Sequence, residues 1–261
     1  MKPTFWGIFL LAIFILRTVK MQAQGPPIYT GTPILLGLDG GGIRTFGKYI
    51  SKENATAHVQ PIAIPYNFTA KLQVGTIVPF VRKSPDGLGA NSGLGDVVAF
   101  AKYLLFQKDG SGKTFRVMAR VKETFPTAKK DEMPALGSGA YQTDVGLVGG
   151  YVSTKIGLYG EVGYNFTSDN LPDNLIYNLA VGLPLLPQQY PPKQLNVFLE
   201  FTGNHVTSQK QNTLFIAPGI QAILGRRLLF ESGIQLPLTQ DVPDGQKTNF
   251  IFLLGTRVLI F

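Results

Sequence analysis

Residues 194–224 read QLNVFLEFTGNHVTSQKQNTLFIAPGIQAIL, and the order of side chains in this stretch decides the fold. Leu195, Val197, Leu199 and Phe201 fall on one side of an extended chain, while Asn196, Glu200 and Thr202 share the other side with Phe198. Alternation of period two marks a strand with one apolar and one polar face. The polar run Val206–Asn212 interrupts the pattern, alternation resumes over Thr213–Leu224, and Gly225-Arg226 follows as a tight turn. Strand, polar loop, strand and short turn form the unit that recurs along the chain.

Extending the reading in both directions gives twelve such segments, from Gly42–Lys52 to Asn249–Phe261, with ten to fourteen as the range of the count. Arg227–Leu238 sets Leu228, Phe230, Ile234, Leu236 and Leu238 against Glu231 and Gln235. Ile156–Phe166 sets Leu158, Val162, Tyr164 and Phe166 against Glu161 and Asn165. Lys113–Phe125 sets Phe115, Val117, Ala119 and Val121 against Arg116, Arg120 and Lys122. One apolar face also suits a soluble sandwich, because either fold hides that face from water. The connections separate the two. Thr69-Ala70, Lys108–Gly112, Thr154-Lys155, Pro187–Lys193 and Gly225-Arg226 are short or compact, whereas Lys83–Gly93, Pro126–Gly139, Thr167–Asn174, Val206–Asn212 and Thr239–Thr248 are mostly longer and polar. Short turns on one rim and long loops on the other, with both termini on the short-turn side, is the layout of an outer-membrane barrel. Spanning takes about 9 to 11 tilted residues, against about 5 to 6 in a globular strand, and these segments meet the longer requirement. The expected fold is all-β: a transmembrane antiparallel up-and-down β-barrel of about 12 strands.

The composition fits. Of 261 residues, 44% are hydrophobic and only 15% charged, with 30 Gly, 18 Phe, 10 Tyr and no Cys. Such a chain has apolar surface to place and needs neither disulfides nor thiolate ligands. Lys2, the apolar run Phe5–Leu16 and the stretch Met21-Gln22-Ala23-Gln24 read as a signal peptide over residues 1–23. As a helix that run rises about 18 Å, short of the roughly 30 Å hydrocarbon core. Arg17, Lys20 and Met21 depart from an ideal cleavage region and leave a retained short anchor as the alternative. Residues 24–41 are expected as an N-terminal periplasmic lead, and residues 42–261 as the barrel. The terminal Phe261 resembles the tail recognised by the barrel-insertion machinery. Arg257 shares its face, so it must snorkel to the headgroups or the register must shift.

If the apolar faces meet lipid, then Asp96, Lys102, Arg116, Arg120, Lys122, Asp144, Glu161, Glu200 and Glu231 point into the lumen, where charges of both signs need water or one another. The stripe Arg116, Arg120 and Lys122 faces Asp96 and Asp144 on adjacent strands, which suits a charged pore lining or a salt-bridged plug. Structural pairing without a transport role is the bland alternative. Leu38–Arg44, with three consecutive glycines, looks like an oxyanion-hole loop of patatin-like phospholipases, but no Gly-x-Ser-x-Gly elbow follows, so it reads as a flexible lead into the first strand. Gly110-Ser111-Gly112-Lys113-Thr114 mimics the end of a phosphate loop, yet Gln107 stands where that motif needs Gly and a strand follows. It reads as a hairpin turn. His58 and His205 lack metal-ligand spacing, and His205 with Ser208 is the one pair a barrel-embedded lipid hydrolase could use. The net charge of +8 includes loop lysines such as Lys129 and Lys130, which suit anionic lipid headgroups, and no aromatic-interleaved basic patch points to nucleic acid.

Gly93-Leu94-Gly95-Asp96-Val97 with Lys102-Tyr103, Phe125-Pro126-Thr127, Leu136–Gln142, Gly163–Phe166, Phe198–Gly203 and Ala217–Gln221 occur in that order over residues 70–261. In this ordered set the chain resembles the outer-membrane family labelled for the meta-pathway of phenol degradation, a transporter-like group. The family's usual Gly after Pro-Thr is Ala128 here. The resemblance implies a barrel that admits small hydrophobic or aromatic compounds, with no cofactor and no catalytic residues. The expected function is passive passage of a small solute across the outer membrane, in contact with its lipids. A non-conducting structural or adhesive barrel, a lipid hydrolase and a soluble periplasmic sandwich stand as alternatives.

Overall fold

The computed structural model describes residues 25–129, 132–187, 189 and 191–260. The expected signal peptide over residues 1–23 and the terminal Phe261 lie outside them. The described chain contains no helix and thirteen strands: β1 (Gly41–Lys52), β2 (Ala55–Asn67), β3 (Leu72–Pro85), β4 (Asn91–Leu94), β5 (Val97–Gly110), β6 (Lys113–Phe125), β7 (Gln142–Ser153), β8 (Gly157–Thr167), β9 (Asn174–Pro184), β10 (Lys193–Val206), β11 (Gln211–Leu224), β12 (Leu228–Gln240) and β13 (Thr248–Ile260). All but β4 pair antiparallel with their neighbours in sequence. β13 returns to β1, from Gly41 opposite Ile260 to Lys52 opposite Thr248, and so closes a twelve-stranded barrel. β4 is a spur folded back on the outer end of β3, with Leu94 opposite Phe80.

Each strand is inside out relative to a soluble protein. On β8, Leu158, Val162 and Phe166 are exposed, while Tyr159, Glu161 and Asn165 are buried. Most large apolar side chains of the wall turn outward and most charged ones inward, which is stable only if lipid wets the outside. Outward aromatic pairs sit near both rims. Tyr66 with Phe68 and Phe106 with Phe115 lie at the short-turn rim; Tyr49 with Phe250 and Phe125 with Tyr141 lie at the other. Such girdles sit where a bilayer's headgroups begin. The alternation breaks once in β5. The register with β6 slips between Leu104 and Phe106, so Leu105 and Phe106 both face outward and Gln107 and Asp109 return to the inside. A bulge of this kind re-aims the side chains beyond it. The Gly110–Thr114 segment is the β5–β6 hairpin, with Gly112 at φ 65° in the turn.

The core of the molecule lies inside the barrel, and the N-terminal segment supplies much of it. Residues 25–36 were expected as a periplasmic lead; instead they run within the lumen, with Ile28 packed among Tyr159, Ala180, Phe198 and Leu253, and Leu35 against Leu104 and Met118. The physical reason is backbone polarity. An irregular, Pro- and Gly-containing segment at membrane depth is tolerated only where protein or water can satisfy its amides and carbonyls. Nor is Leu38–Arg44 a flexible lead. Asn67 donates its side-chain amide to the Gly37 carbonyl at 2.7 Å and its backbone N–H to that of Gly40 at 2.9 Å, fixing the entry into β1.

If the outward face meets lipid, replacing Val162 or Leu254 with Lys lowers the unfolding free energy in bilayers by about 2–4 kcal/mol. Lys in place of the loop residue Gly89, which has open space around it, costs within about 0.5 kcal/mol. Denaturant titration of the refolded protein checks this, and equal effects at all three positions would contradict the assignment.

Candidate functional site

Three charged centres line the lumen, and each engages the N-terminal segment or its surroundings. In the first, Arg120 on β6 pairs with Asp144 on β7 at 2.7 Å and with Glu161 on β8 at 2.9 Å. Lys122, in register with Asp144, reaches it only at 3.9 Å. Glu161 also accepts the Gly31 N–H at 2.8 Å and the Asn178 side-chain amide at 2.9 Å. In the second, Glu231 on β12 lies between Arg44 on β1 and Arg257 on β13, at 2.7 and 2.6 Å. The same guanidinium groups donate onward, Arg44 to the Ile28 carbonyl at 2.6 Å and Arg257 to the Pro27 carbonyl at 2.8 Å. In the third, the fully buried Glu200 on β10 accepts three consecutive backbone N–H groups, from Ile28 at 2.7 Å, Tyr29 at 3.1 Å and Thr30 at 2.6 Å. Successive amides turned toward one anion form a concave nest, here filled by the protein's own carboxylate.

Most residues singled out by the sequence thus meet around one segment. Lys102 also faces inward, in register between Gln73 of β3 and Arg120 of β6. Arg116 lies on the same face as Arg120 but close to the short-turn rim, 3.8 Å from Asp109. Asp96 departs from the expectation. It sits in the β4–β5 link rather than on the strand wall, and accepts the Ala128 N–H at 3.0 Å and the Ser138 N–H at 2.7 Å. It organises the long Pro126–Gly139 loop because the spur β4 ends the strand pattern before it. Of the two alternatives for Arg257, snorkelling to the headgroups is not the one taken. The strand register turns it inward to Glu231, with Leu254 and Val258 facing out on either side.

Other residues of the site carried little sequence signal. Arg44 closes the glycine-rich Leu38–Arg44 stretch, where no alternation marks its face. Tyr159 donates its hydroxyl to the Gly25 carbonyl at 3.1 Å, and Gln221 its amide to the Pro26 carbonyl at 2.9 Å. Both are ordinary inward residues until the N-terminal segment is placed beside them. His205 and Ser208 form no hydrogen bond with one another, and no group of three or more His, Asp or Glu suited to a metal ion occurs among the described residues.

The segment does not fill the lumen. A cavity of about 460 Å³ remains beside it, walled by Ile34 of the segment, Ala63 and Pro65 of β2, Phe100 and Lys102 of β5, and Lys122 of β6. One wall is apolar and the adjoining one is cationic.

A buried charge that loses its partner is costly, by about 3–5 kcal/mol. Glu231→Gln therefore leaves Arg44 and Arg257 facing each other across β1 and β13 without a counter-charge, and the folded band of the unboiled protein on a detergent gel is lost at a clearly lower temperature. An unchanged transition would show that the triad contributes nothing to closure.

The fold is shared with solved structures. An outer membrane channel from Pseudomonas putida F1 superposes with a TM-score of 0.70 at 16% identity, covering 90% of this chain and 100% of that one. The KdgM porin in complex with disordered oligogalacturonate superposes with a TM-score of 0.54 at 10% identity, covering 83% and 98%. At these identities the likeness is one of fold, that of outer-membrane barrels. No curated protein matches in sequence. The family model described as "Putative MetA-pathway of phenol degradation" matches residues 55–254, and the chain belongs to that family.

Proposed function

We propose that this protein is a passive outer-membrane channel for small solutes, among them hydrophobic or aromatic ones, whose lumen is narrowed by its own residues 25–36. The observation that carries the reading is the cavity of about 460 Å³ left between that segment and the β2–β6 wall. Selection would follow from lumen size and charge, with no cofactor, no energy source and no catalytic step. Cleavage after Ala23 would leave the segment joined to the barrel at one end only, through Gly37–Gly41. It is otherwise held by hydrogen bonds that its amides donate to Glu200 and Glu161 and that its carbonyls accept from Arg44, Arg257, Tyr159 and Gln221. Contacts of that kind can exchange for water without breaking the wall. Delivery to the membrane would use the signal peptide and the insertion machinery, the latter through the strand ending at Phe261.

A second reading, a sealed structural barrel, is favoured by the number of contacts that hold the segment. Planar-bilayer recording separates the two. The intact protein is expected to give small or brief openings, Glu200→Ala more frequent ones, and a chain lacking residues 25–36 a conductance several-fold larger and steady. Silence in all three, with each shown folded by heat-modifiable migration, would leave the sealed barrel.

A further inference from the structure

The lumenal cavity is not electrically balanced. Five cations border it, Arg44, Lys102, Arg120, Lys122 and Arg257, and one carboxylate, Glu161. The arginines are spoken for: Arg44 and Arg257 share Glu231, and Arg120 takes both Asp144 and Glu161 at pairing distance. Glu200 is saturated by backbone amides. What remains is Lys102, which has no ion pair or hydrogen bond among the described residues, and Lys122, whose contact with Asp144 is long and shared with Arg120. Lys102 stands opposite Arg120, and Lys122 follows one inward position along β6. Two ammonium groups on adjacent strands thus face a partly enclosed space with little counter-charge. Such an arrangement attracts an anion, because a charge drawn out of water needs a partner. Next to them the wall turns apolar, with Phe100, Ala63 and Pro65 opposite Ile34 of the N-terminal segment.

We propose that this cavity is a binding site for small organic monocarboxylates with an apolar body, such as aromatic acids. The carboxylate lies against Lys102 and Lys122, and the ring or branched chain lies between Phe100, the β2 wall and Ile34. This rests on the channel reading and deepens it by naming the solute class: an acid of this kind satisfies both walls at once, whereas a neutral aromatic leaves the ammonium groups unpartnered and an amine adds to the repulsion.

The test uses the refolded full barrel in detergent, with benzoate, benzyl alcohol and benzylamine as probes followed by isothermal titration calorimetry. Benzoate is expected to bind at least about tenfold tighter than either of the others, the discrimination of one charge-assisted contact. Lys102→Met lowers benzoate affinity by about tenfold, while Lys210→Met, on an exposed turn, leaves it unchanged. Equal binding of the three probes to the unaltered protein, or benzoate binding indifferent to Lys102→Met in a variant that migrates as a folded barrel, overturns the proposal. Liposome swelling keeps the two readings apart. Benzoate bound without passing the membrane refutes the channel and not the site, and passage of all three probes at one rate without benzoate-selective binding refutes the site and not the channel.

Discussion

Glu231 reaches Arg44 and Arg257 together, and in doing so ties β12 to the two strands that close the wall. Those arginines stand directly opposite one another in the β1–β13 register, where like charges repel. A carboxylate from the next strand turns that repulsion into a bridge. The same constraint governs much of the interior: lipid outside turns polar side chains inward, and a charge drawn out of water there gains from a partner. Arg120 solves it with Asp144 and Glu161, and Glu200 with amides rather than a cation.

That last solution explains why the N-terminal segment is inside. Pro26, Pro27 and Pro33 offer no N–H, and between them Ile28, Tyr29, Thr30 and Gly31 present four successive amides to the wall. Glu200 and Glu161 accept all four. The carbonyls of Gly25, Pro26, Pro27 and Ile28 in turn accept from Tyr159, Gln221, Arg257 and Arg44. Wall side chains thus partner four amides and four carbonyls of the segment, and an unfilled, cationic margin remains on the β5–β6 side. Closure of the barrel and occupation of the lumen are coupled, because the two arginines that receive Glu231 also hold the segment.

The wall was legible in the sequence because period-two alternation is local. Leu158, Val162 and Phe166 against Glu161 and Asn165 declare a lipid side and a lumen side without reference to any other strand. The bulge at Leu105 was not legible, since consecutive apolar residues there fit either face. The direction of Arg257 was ambiguous for a similar reason: Phe250–Ile260 is apolar at most positions, and only the pairing with β12 and β1 settles which way it turns. The lumenal segment was invisible on other grounds. It is anchored through main-chain groups, which leave no trace in side-chain pattern, and, Arg44 apart, to residues more than a hundred positions away. The charged residues were read as lumenal, but what they hold there required the fold.

Occupation of the lumen by residues 25–36 is open to direct measurement, because the chain contains no native cysteine. A Cβ placed at Gly31 would lie 3.0 Å from a Val148 methyl of the β7 wall, so cysteines at the two positions would face each other at the close approach that a disulfide needs. In the Gly31→Cys, Val148→Cys double variant expressed in membranes, oxidation is expected to yield the intramolecular crosslink in most of the folded protein, seen as a mobility shift after unfolding that reductant reverses. Two cysteines that stay free and react fully with a bulky maleimide in the folded barrel would contradict the account.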